Sequence, residues 1–169
     1  MDMVSLLSQF MAWGNSVVKD WGYLGIFAIS LVSSASIVLP VPYFAFVFAT
    51  GTVLNPILVG IAGGLGSAIG ELTGYAIGYG GKKALSEKYE KLLGRTEKWV
   101  EKRGLFVVII LFAATPMPDD IVGVLGGALG YSVKKFFIAS LIGKLALNFA
   151  LAFGGFYGMA WVLSLFGGV

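Results

Sequence analysis

Residues 104–130 read GLFVVIILFAATPMPDDIVGVLGGALG, and this stretch carries the strongest indication of the fold. It is apolar except where Pro116 and Pro118 interrupt it and two aspartates follow. A proline removes a backbone donor and clashes with the preceding turn, so the pair ends one helix and begins another. The arms 105–115 and 119–130 are each shorter than the roughly 20 residues that a helix needs to cross a bilayer. They predict a helical hairpin that enters the membrane, turns at depth and leaves on the same side. The alternative is that the prolines only kink ordinary transmembrane helices.

A second proline pair occurs in the first half of the chain. Pro40 and Pro42 interrupt the apolar run 21–55, and the arm 43–55 is again too short to cross. A glycine follows each pair nine residues later, at Gly51 and Gly127, and a longer apolar run comes next, 57–81 or 136–167. One full crossing per half would put the two re-entrant hairpins on opposite sides of the membrane. The pattern predicts an inverted repeat, an architecture of secondary transporters in which paired broken segments mark the binding site.

Composition supports a membrane protein. Of the 169 residues, 57% are hydrophobic and 12% are charged, whereas roughly 25% are charged in soluble domains. The chain has too few polar residues to cover a soluble protein, so we predict one all-α integral membrane domain over 1–169. Histidine and cysteine are absent, which excludes disulfides, thiol catalysis, the Ser-His-Asp triad and ordinary zinc sites. We expect no enzyme activity, no metal site and no cofactor.

The charges are concentrated between the two predicted repeats, 21–81 and 104–169. Segment 82–103 holds eight of the twelve Lys and Arg residues and four Glu residues, a net charge of +4. Its apolar residues recur at helical spacing, so an amphipathic connecting helix is predicted, on the cytoplasmic side by the positive-inside rule. It is either a solvated connector or an interfacial helix that binds anionic headgroups. The interleaved Glu residues disfavour nucleic acid. The cations of the lipid-binding alternative are Lys82, Lys83, Lys88, Lys91 and Arg95. Residues 1–20 predict a further amphipathic helix at the interface.

Four ionisable residues lie within the apolar runs. Charges at membrane depth are costly, so they usually face a cavity or one another. Glu71 directly follows Gly70 in a series of glycines spaced four apart, a pattern that permits close helix contact. Two roles are open for Glu71: a structural ion pair with Lys144, or a protonatable coupling site. Asn148 lies one turn after Lys144 on the same helix face. The four residues are Glu71, Asp119, Asp120 and Lys144.

The two adjacent aspartates follow Pro118 at the head of a predicted helix. One of them, Asp119 or Asp120, fits an ordinary N-cap. Two like charges in a poorly solvated site do not both ionise easily, so the pair is predicted to accept a proton or a cation. Thr115 is expected to add a polar contact. We therefore predict a substrate or ion site at these aspartates.

Taken together, these motifs resemble the DedA/VTT superfamily, also called SNARE-associated Golgi proteins. The resemblance spans roughly residues 20–150. Three elements carry it: Leu39-Pro40-x-Pro42 leading to Gly51; Gly66-x-x-x-Gly70-Glu71-x-x-Gly74-Tyr75-x-x-Gly78; and Gly104-Leu105-Phe106 through Phe112-x-x-x-Pro116-x-x-Asp119 to Gly126-Gly127, Phe136 and Phe137.

This resemblance implies two facing re-entrant hairpins around a midplane cavity, and translocation of lipids. Bacterial members are linked to recycling of polyprenyl phosphate driven by proton or sodium gradients, and eukaryotic members to phospholipid scrambling. Many bacterial members carry an acidic residue after the first proline pair, where this chain has Tyr43 and Phe44. They also carry arginines beside the second pair, where this chain has Ala113 and Asp119. A phosphate needs cationic or amide partners, so the departures leave the substrate open, with Lys144 as the one remaining deep cation.

Three functions compete on this basis. The first is a lipid flippase or scramblase in a prokaryotic plasma membrane, which acts on polyprenyl phosphate or phospholipid headgroups and is coupled to protons or sodium. The second is an ion-coupled transporter or channel for a small solute. The third is a non-transporting scaffold that docks a partner through 82–103. Nucleic acid is not expected as a partner, and the oligomeric state is left open, a homo-oligomer included.

Overall fold

The computed structural model of the chain describes residues 9, 12, 16–36, 43–82, 104–116 and 120–165. Regular secondary structure within these ranges is helical throughout, as the all-α prediction requires. Residues 16–21 form a short helical segment. The longer helices of the described ranges are α1 (Tyr23–Ala35), α2 (Tyr43–Gly51), α3 (Pro56–Gly70), α4 (Leu72–Lys82), α5 (Gly104–Ala113), α6 (Asp120–Ala128) and α7 (Val133–Leu165).

Two helical stretches are long and apolar enough to cross a membrane, Pro56–Gly81 and Val133–Gly158. The first joins α3 and α4 across Glu71, whose backbone keeps right-handed helical angles. The hydrogen-bond ladder also continues there, because Glu71 N donates to Ser67 O and Tyr75 N donates to Glu71 O. Each half of the chain therefore has one helix that is long and apolar enough to span a membrane, as the sequence predicted. We call 56–82 the first long helix and α7 the second.

Local sequence sets where these helices begin and end. The side chain of Asn55 caps α3 by accepting from Ile57 N at 3.0 Å and Leu58 N at 3.4 Å, and Pro56 fills the first turn, where no amide donor is needed. At the other end of the molecule, Gly130 has φ 69°. This left-handed glycine ends α6. Backbone hydrogen bonds donated by Gly130 N and Tyr131 N complete a Schellman motif.

The first arm of each half packs along the long helix of its own half. Gly66 lies against Phe27 O, and one turn later Gly70 lies against Leu31 O. Because both contacts advance together, α1 and α3 run parallel. In the second half, α5 packs on α7, where Gly143 lies against Ile110 O.

The second arm of each half packs on the long helix of the other half. These contacts pass through glycines at which a Cβ would overlap a facing carbonyl. Every such contact in one half has a counterpart 76 or 77 positions later in the chain. The same contacts therefore occur twice, once from each half. They are Gly51 to Ala152 O, Gly155 to Phe48 O, Gly127 to Tyr75 O, and Gly78 to Val124 O.

The two long helices cross each other in opposite directions. Gly60 lies against the Phe149 ring and Gly64 against Leu145. Residue numbers therefore increase along the first helix while they decrease along the second, so the two helices are antiparallel. Large apolar side chains remain exposed on the outside of both helices, as expected where lipid is the solvent. Examples from these outer faces are Leu58, Ile61, Leu65, Ile69, Ile138 and Ile142.

Several predicted features lie outside the described residues. The tips of the two predicted hairpins are among them, including Pro40, Pro42, Pro118 and Asp119. Most of the basic segment is too: Lys83, Lys88, Lys91 and Arg95 fall there, and Lys82 is described only as the last residue of α4. Of 1–20, only residues 9, 12 and 16–20 are described.

Candidate functional site

The centre of the molecule holds a buried ion pair. Lys144 Nζ on α7 lies 2.8 Å from Glu71 Oε1 on the first long helix. The two side chains are 2% and 4% exposed. This ion pair is one of the two roles that the sequence left open for Glu71. Two opposite charges at such depth stabilise each other, and removing either would leave an uncompensated buried charge.

A second polar pair lies one turn away on both helices. Asn148 Nδ2 donates to Lys144 O at 2.8 Å and faces Ser67 Oγ at 3.4 Å. The Ser67 hydroxyl donates to Gly63 O at 2.7 Å, so its lone pair is free to accept from the amide. Since a carbonyl oxygen can only accept, Nδ2 must be the atom that faces Lys144 O, which fixes the orientation of the Asn148 amide.

These four side chains form a polar cluster, which consists of Ser67, Glu71, Lys144 and Asn148. The four residues follow the same offset between the two halves as the glycine contacts. Lys144 lies 77 positions after Ser67, and Asn148 lies 77 positions after Glu71. Exchanging the halves therefore converts the Ser67–Asn148 pair into the Lys144–Glu71 pair. The polar cluster sits where the two long helices cross, at the centre of the repeated contacts.

Glycines make this close crossing possible. A Cβ on Gly63 would overlap Asn148 Oδ1. On the opposite side, Gly123 of α6 faces Glu71 Oε2, and a Cβ there would be in ordinary contact with it at 3.7 Å. The missing side chain at Gly63 lets the two long helices approach at the polar cluster, and the burial of the cluster strengthens the interaction between its charges.

A shallow pocket opens beside Glu71. Its interior is too narrow to hold a water molecule, whereas ordinary ligand pockets enclose roughly 300–1,000 Å³. A lipid headgroup does not fit it in this conformation. The pocket joins residues from both halves of the chain, and its lining is Glu71, Ile109, Ala113, Val122, Gly123, Phe136 and Ser140.

The other predicted site residues lie at different distances from the polar cluster. Asp120 is half-buried in the first turn of α6, one turn before Gly123, which faces the Glu71 carboxylate. Thr115 does not join the cluster, because its hydroxyl donates to Phe112 O at 2.9 Å. Pro116 is exposed where the turn after α5 ends. The structure thus brings together Glu71, Lys144 and Asn148 but not Thr115.

The sequence reasoning missed two buried serines at this site. Ser67 lies one turn before Glu71, and Ser140 lies one turn before Lys144 and lines the pocket. The four-residue spacing from a deep charge was the signal available in each case. Tyr75, which belongs to the glycine motif after Glu71, donates to Tyr131 O at 2.5 Å and anchors the turn before α7. Burial raises the pKa of Tyr131 above its usual value, so this phenol stays neutral at physiological pH.

The chemistry available at the site is that of paired charges and hydrogen bonds. Within the described ranges, no three potential metal-ligating side chains come together. Lys144 can bind a phosphate or carboxylate, and Glu71 can accept a proton or bind a cation. Protonation of Glu71 would release the ammonium group of Lys144 for another anion.

Comparison with known proteins gives one match. The family model described as the VTT domain matches residues 41–157, which include the first long helix, most of the second and the whole polar cluster. No curated protein and no solved structure matches the chain.

Proposed function

The chain belongs to the VTT-domain family of DedA and SNARE-associated Golgi proteins, a family of membrane proteins, and from this premise we propose that it moves the headgroup of an anionic lipid across the bilayer past the polar cluster. The single observation that carries the proposal is the buried Glu71–Lys144 ion pair at the crossing of the two long helices. A charged pair at this depth in a membrane protein is a functional site by default.

The proposed arrangement in the membrane is an inverted repeat. The two hairpins, α1 with α2 and α5 with α6, would dip into the bilayer from opposite faces, with their tips at 37–42 and 117–119. Three observations support this: the short arms, the opposite directions of the two long helices, and the repeated glycine contacts between halves. In this arrangement the polar cluster lies near the midplane, where transporters with such repeats bind their substrates.

Charge balance suggests how the headgroup is coupled to an ion. In the resting state, Glu71 and Lys144 together carry no net charge. An anionic phosphate that binds Lys144 must displace the Glu71 carboxylate, and the site stays neutral only if Glu71 takes up one proton. We therefore propose that one proton binds for each anionic headgroup. A sodium ion at Glu71 would also keep the site neutral. It would have to fit beside the ammonium group of Lys144, however, so the proton is the favoured coupling ion.

The test is headgroup translocation in proteoliposomes that contain a fluorescent anionic phospholipid. The wild-type protein should move the lipid between leaflets, and Lys144→Met should lose at least about tenfold in rate, the loss expected for a charge-assisted hydrogen bond. Lys135→Met is the matched control, because Lys135 is an exposed lysine on the same helix.

The proposal fails if the wild-type protein moves no lipid under any proton or sodium gradient. It also fails if Lys144→Met and Lys135→Met have equal rates. A parallel measurement of internal pH tests the coupling, since one proton should enter for each phosphate that crosses.

A second candidate function is ion-coupled transport of a small solute. The observation that favours it is the narrowness of the pocket beside Glu71, because a small anion would need less widening of this pocket than a headgroup. Uptake of a small carboxylate or phosphate without lipid movement in the same proteoliposomes would select this function.

The cellular setting completes the proposal. We place the chain in a prokaryotic plasma membrane with segment 82–103 in the cytoplasm, where its cations would bind anionic headgroups. Selective binding of a peptide of residues 82–103 to vesicles that contain phosphatidylglycerol would support this assignment, and equal binding to neutral vesicles would contradict it.

A further inference from the structure

One end of the molecule carries an excess of positive charge. Because the two long helices are antiparallel, the end of the first, at Lys82, lies on the same side as the start of α7, at Val133. Two further lysines, Lys134 and Lys135, occupy the next positions of α7, and both are exposed. Every charged residue that the structure describes at this end is therefore a cation.

The opposite end has no such excess. There the hydroxyl of Tyr23 accepts from Asn55 N at 3.2 Å, so the start of α1 lies beside the start of α3. The charged residues described at this end are Lys19 and Asp20, whose charges cancel. The positive-inside rule therefore predicts that the end with Lys134 faces the cytoplasm and its anionic leaflet.

The stability of α7 does not explain Lys134 and Lys135. Both lie in the first turn of the helix, where the helix dipole is positive and a cation is unfavourable. No acidic residue shares that turn, and neither lysine forms an ion pair with a described residue. Two exposed cations at the unfavourable end of a helix indicate an anion outside the chain.

The turn that carries these lysines is held firmly against the first long helix. The hydroxyl of Tyr75 donates to Tyr131 O at 2.5 Å, and the ring of Tyr75 packs on that of Phe136, with 5.1 Å between the ring centroids. Phe136 itself is 1% exposed. The lysine side chains therefore extend from a fixed backbone.

The exposed face of α7 changes from charged to apolar within one turn. Ile138 lies four residues after Lys134 and hence on the same face of the helix, and Ile142 continues this face one turn later. The two isoleucines are 50% and 46% exposed. Lysines next to an exposed apolar face mark the level at which a membrane helix passes from the headgroups into the hydrocarbon.

From these observations we propose that Lys134 and Lys135 form a binding surface for the phosphates of anionic lipids at the cytoplasmic boundary of the bilayer. The surface also sets the depth of the protein. Lys144 lies ten residues after Lys134, a rise of about 15 Å along the helix, which is half of the roughly 30 Å thickness of the hydrocarbon core. Lipid phosphates bound at the two lysines therefore hold the polar cluster at the midplane of the bilayer.

Fluorescence quenching in nanodiscs tests which lipids surround this surface. The chain has no native cysteine, so Val133→Cys can carry a single dye beside the lysines. Val53→Cys, at a 78% exposed position of the opposite end, carries the dye of the control. The nanodiscs consist of phosphatidylcholine with a small fraction of either phosphatidylglycerol or phosphatidylcholine that is spin-labelled near the headgroup. Phosphatidylglycerol should quench the dye at 133 more strongly than phosphatidylcholine does, whereas both should quench the dye at 53 equally. Equal quenching at 133, or the same preference at 53, overturns the proposal.

A double variant separates this surface from the basic segment 82–103. Each lysine near an anionic surface contributes about fivefold in affinity, so Lys134→Gln with Lys135→Gln should lower the preference for phosphatidylglycerol at 133 by at least about fivefold. Lys19→Gln, at the opposite end, should leave it unchanged. A preference that survives in the double variant overturns the proposal.

Thermal melts of the same double variant separate a binding role from a structural one. In a neutral detergent without anionic lipid, the double variant should melt roughly 1–8 °C above the wild type, because two cations leave the positive end of α7. A lower melting temperature would mean that Lys134 and Lys135 stabilise the chain itself, and it overturns the proposal.

A third dye position tests the assigned depth. A dye on Ile142→Cys should be quenched best by lipids spin-labelled near the end of the acyl chain, and the dye at 133 by lipids labelled near the headgroup. The same depth for both dyes overturns the proposal. Should the wild-type protein move no lipid at all, the proposed function fails, but these quenching experiments still decide whether Lys134 and Lys135 bind anionic lipid.

Discussion

The ion pair at the centre of the molecule makes a quantitative prediction about stability. Lys144→Met keeps the length of the side chain and removes its charge, so the Glu71 carboxylate is left without its cation at 4% exposure. Breaking a buried pair in this way costs about 3–5 kcal/mol. For a chain of this size, each kcal/mol lowers the melting temperature by roughly 2–4 °C, so the variant should melt about 6–20 °C below the wild type in detergent.

A double variant isolates the pair from the packing of the lysine stem. Glu71→Gln combined with Lys144→Met leaves no charge at the site and should recover most of the loss, because an apolar or neutral replacement of a buried pair is often close to neutral in stability. Lys135→Met, at an exposed position on the same helix, should change the melting temperature by less than about 2 °C.

The result that would refute this reasoning is additivity. If Lys144→Met costs less than about 1 kcal/mol, the value typical of an exposed pair, the two charges do not depend on each other. The same conclusion follows if the losses of the single variants simply add in the double variant.

Three further predictions concern the packing around the site, and all can be read from thermal melts in detergent. Gly78→Ala places a Cβ into the Val124 carbonyl and should cost about 1–3 kcal/mol, whereas Gly80→Ala, with nothing within 4 Å, should not destabilise the protein. Equal melting temperatures of the two variants would contradict the close packing of Gly78 on Val124. Asn55→Ala loses the cap of α3 and should cost about 0.5–2 kcal/mol, while no loss would mean that the cap does not support the long helix. Tyr75→Phe removes the bond to a backbone carbonyl and should cost about 0.5–1.5 kcal/mol, and an unchanged melt would show that the turn before α7 is held by other contacts.

Much of the fold followed from the sequence because prolines and glycines act locally. The proline pairs predicted short arms, and the structure has α2, α5 and α6 at nine or ten residues each. The apolar runs predicted one spanning helix in each half. The motifs also led to the correct family, since their order and spacing survive in a single sequence.

The site was predicted less completely because it depends on contacts between distant parts of the chain. Helical periodicity placed Lys144 and Asn148 on one face of α7. It could not show whether Glu71 contacts that face. Ser67 joined the cluster only because the long helices cross at Gly63 and its neighbours, and no local pattern gives the register of that crossing.

The position of Thr115 outside the polar cluster has a local reason. A threonine hydroxyl at a helix end readily bonds a carbonyl three residues earlier, as Thr115 does with Phe112, and it is then satisfied without a ligand.

The most direct test of the account is a density map of the protein in nanodiscs with an anionic phospholipid at pH values above and below neutrality. We predict a lipid phosphate within about 3 Å of Lys144 Nζ at the lower pH, with the Glu71 carboxylate displaced from the ammonium group. A map in which lipid lies only on the outer faces while the Glu71–Lys144 pair stays intact at both pH values would contradict it.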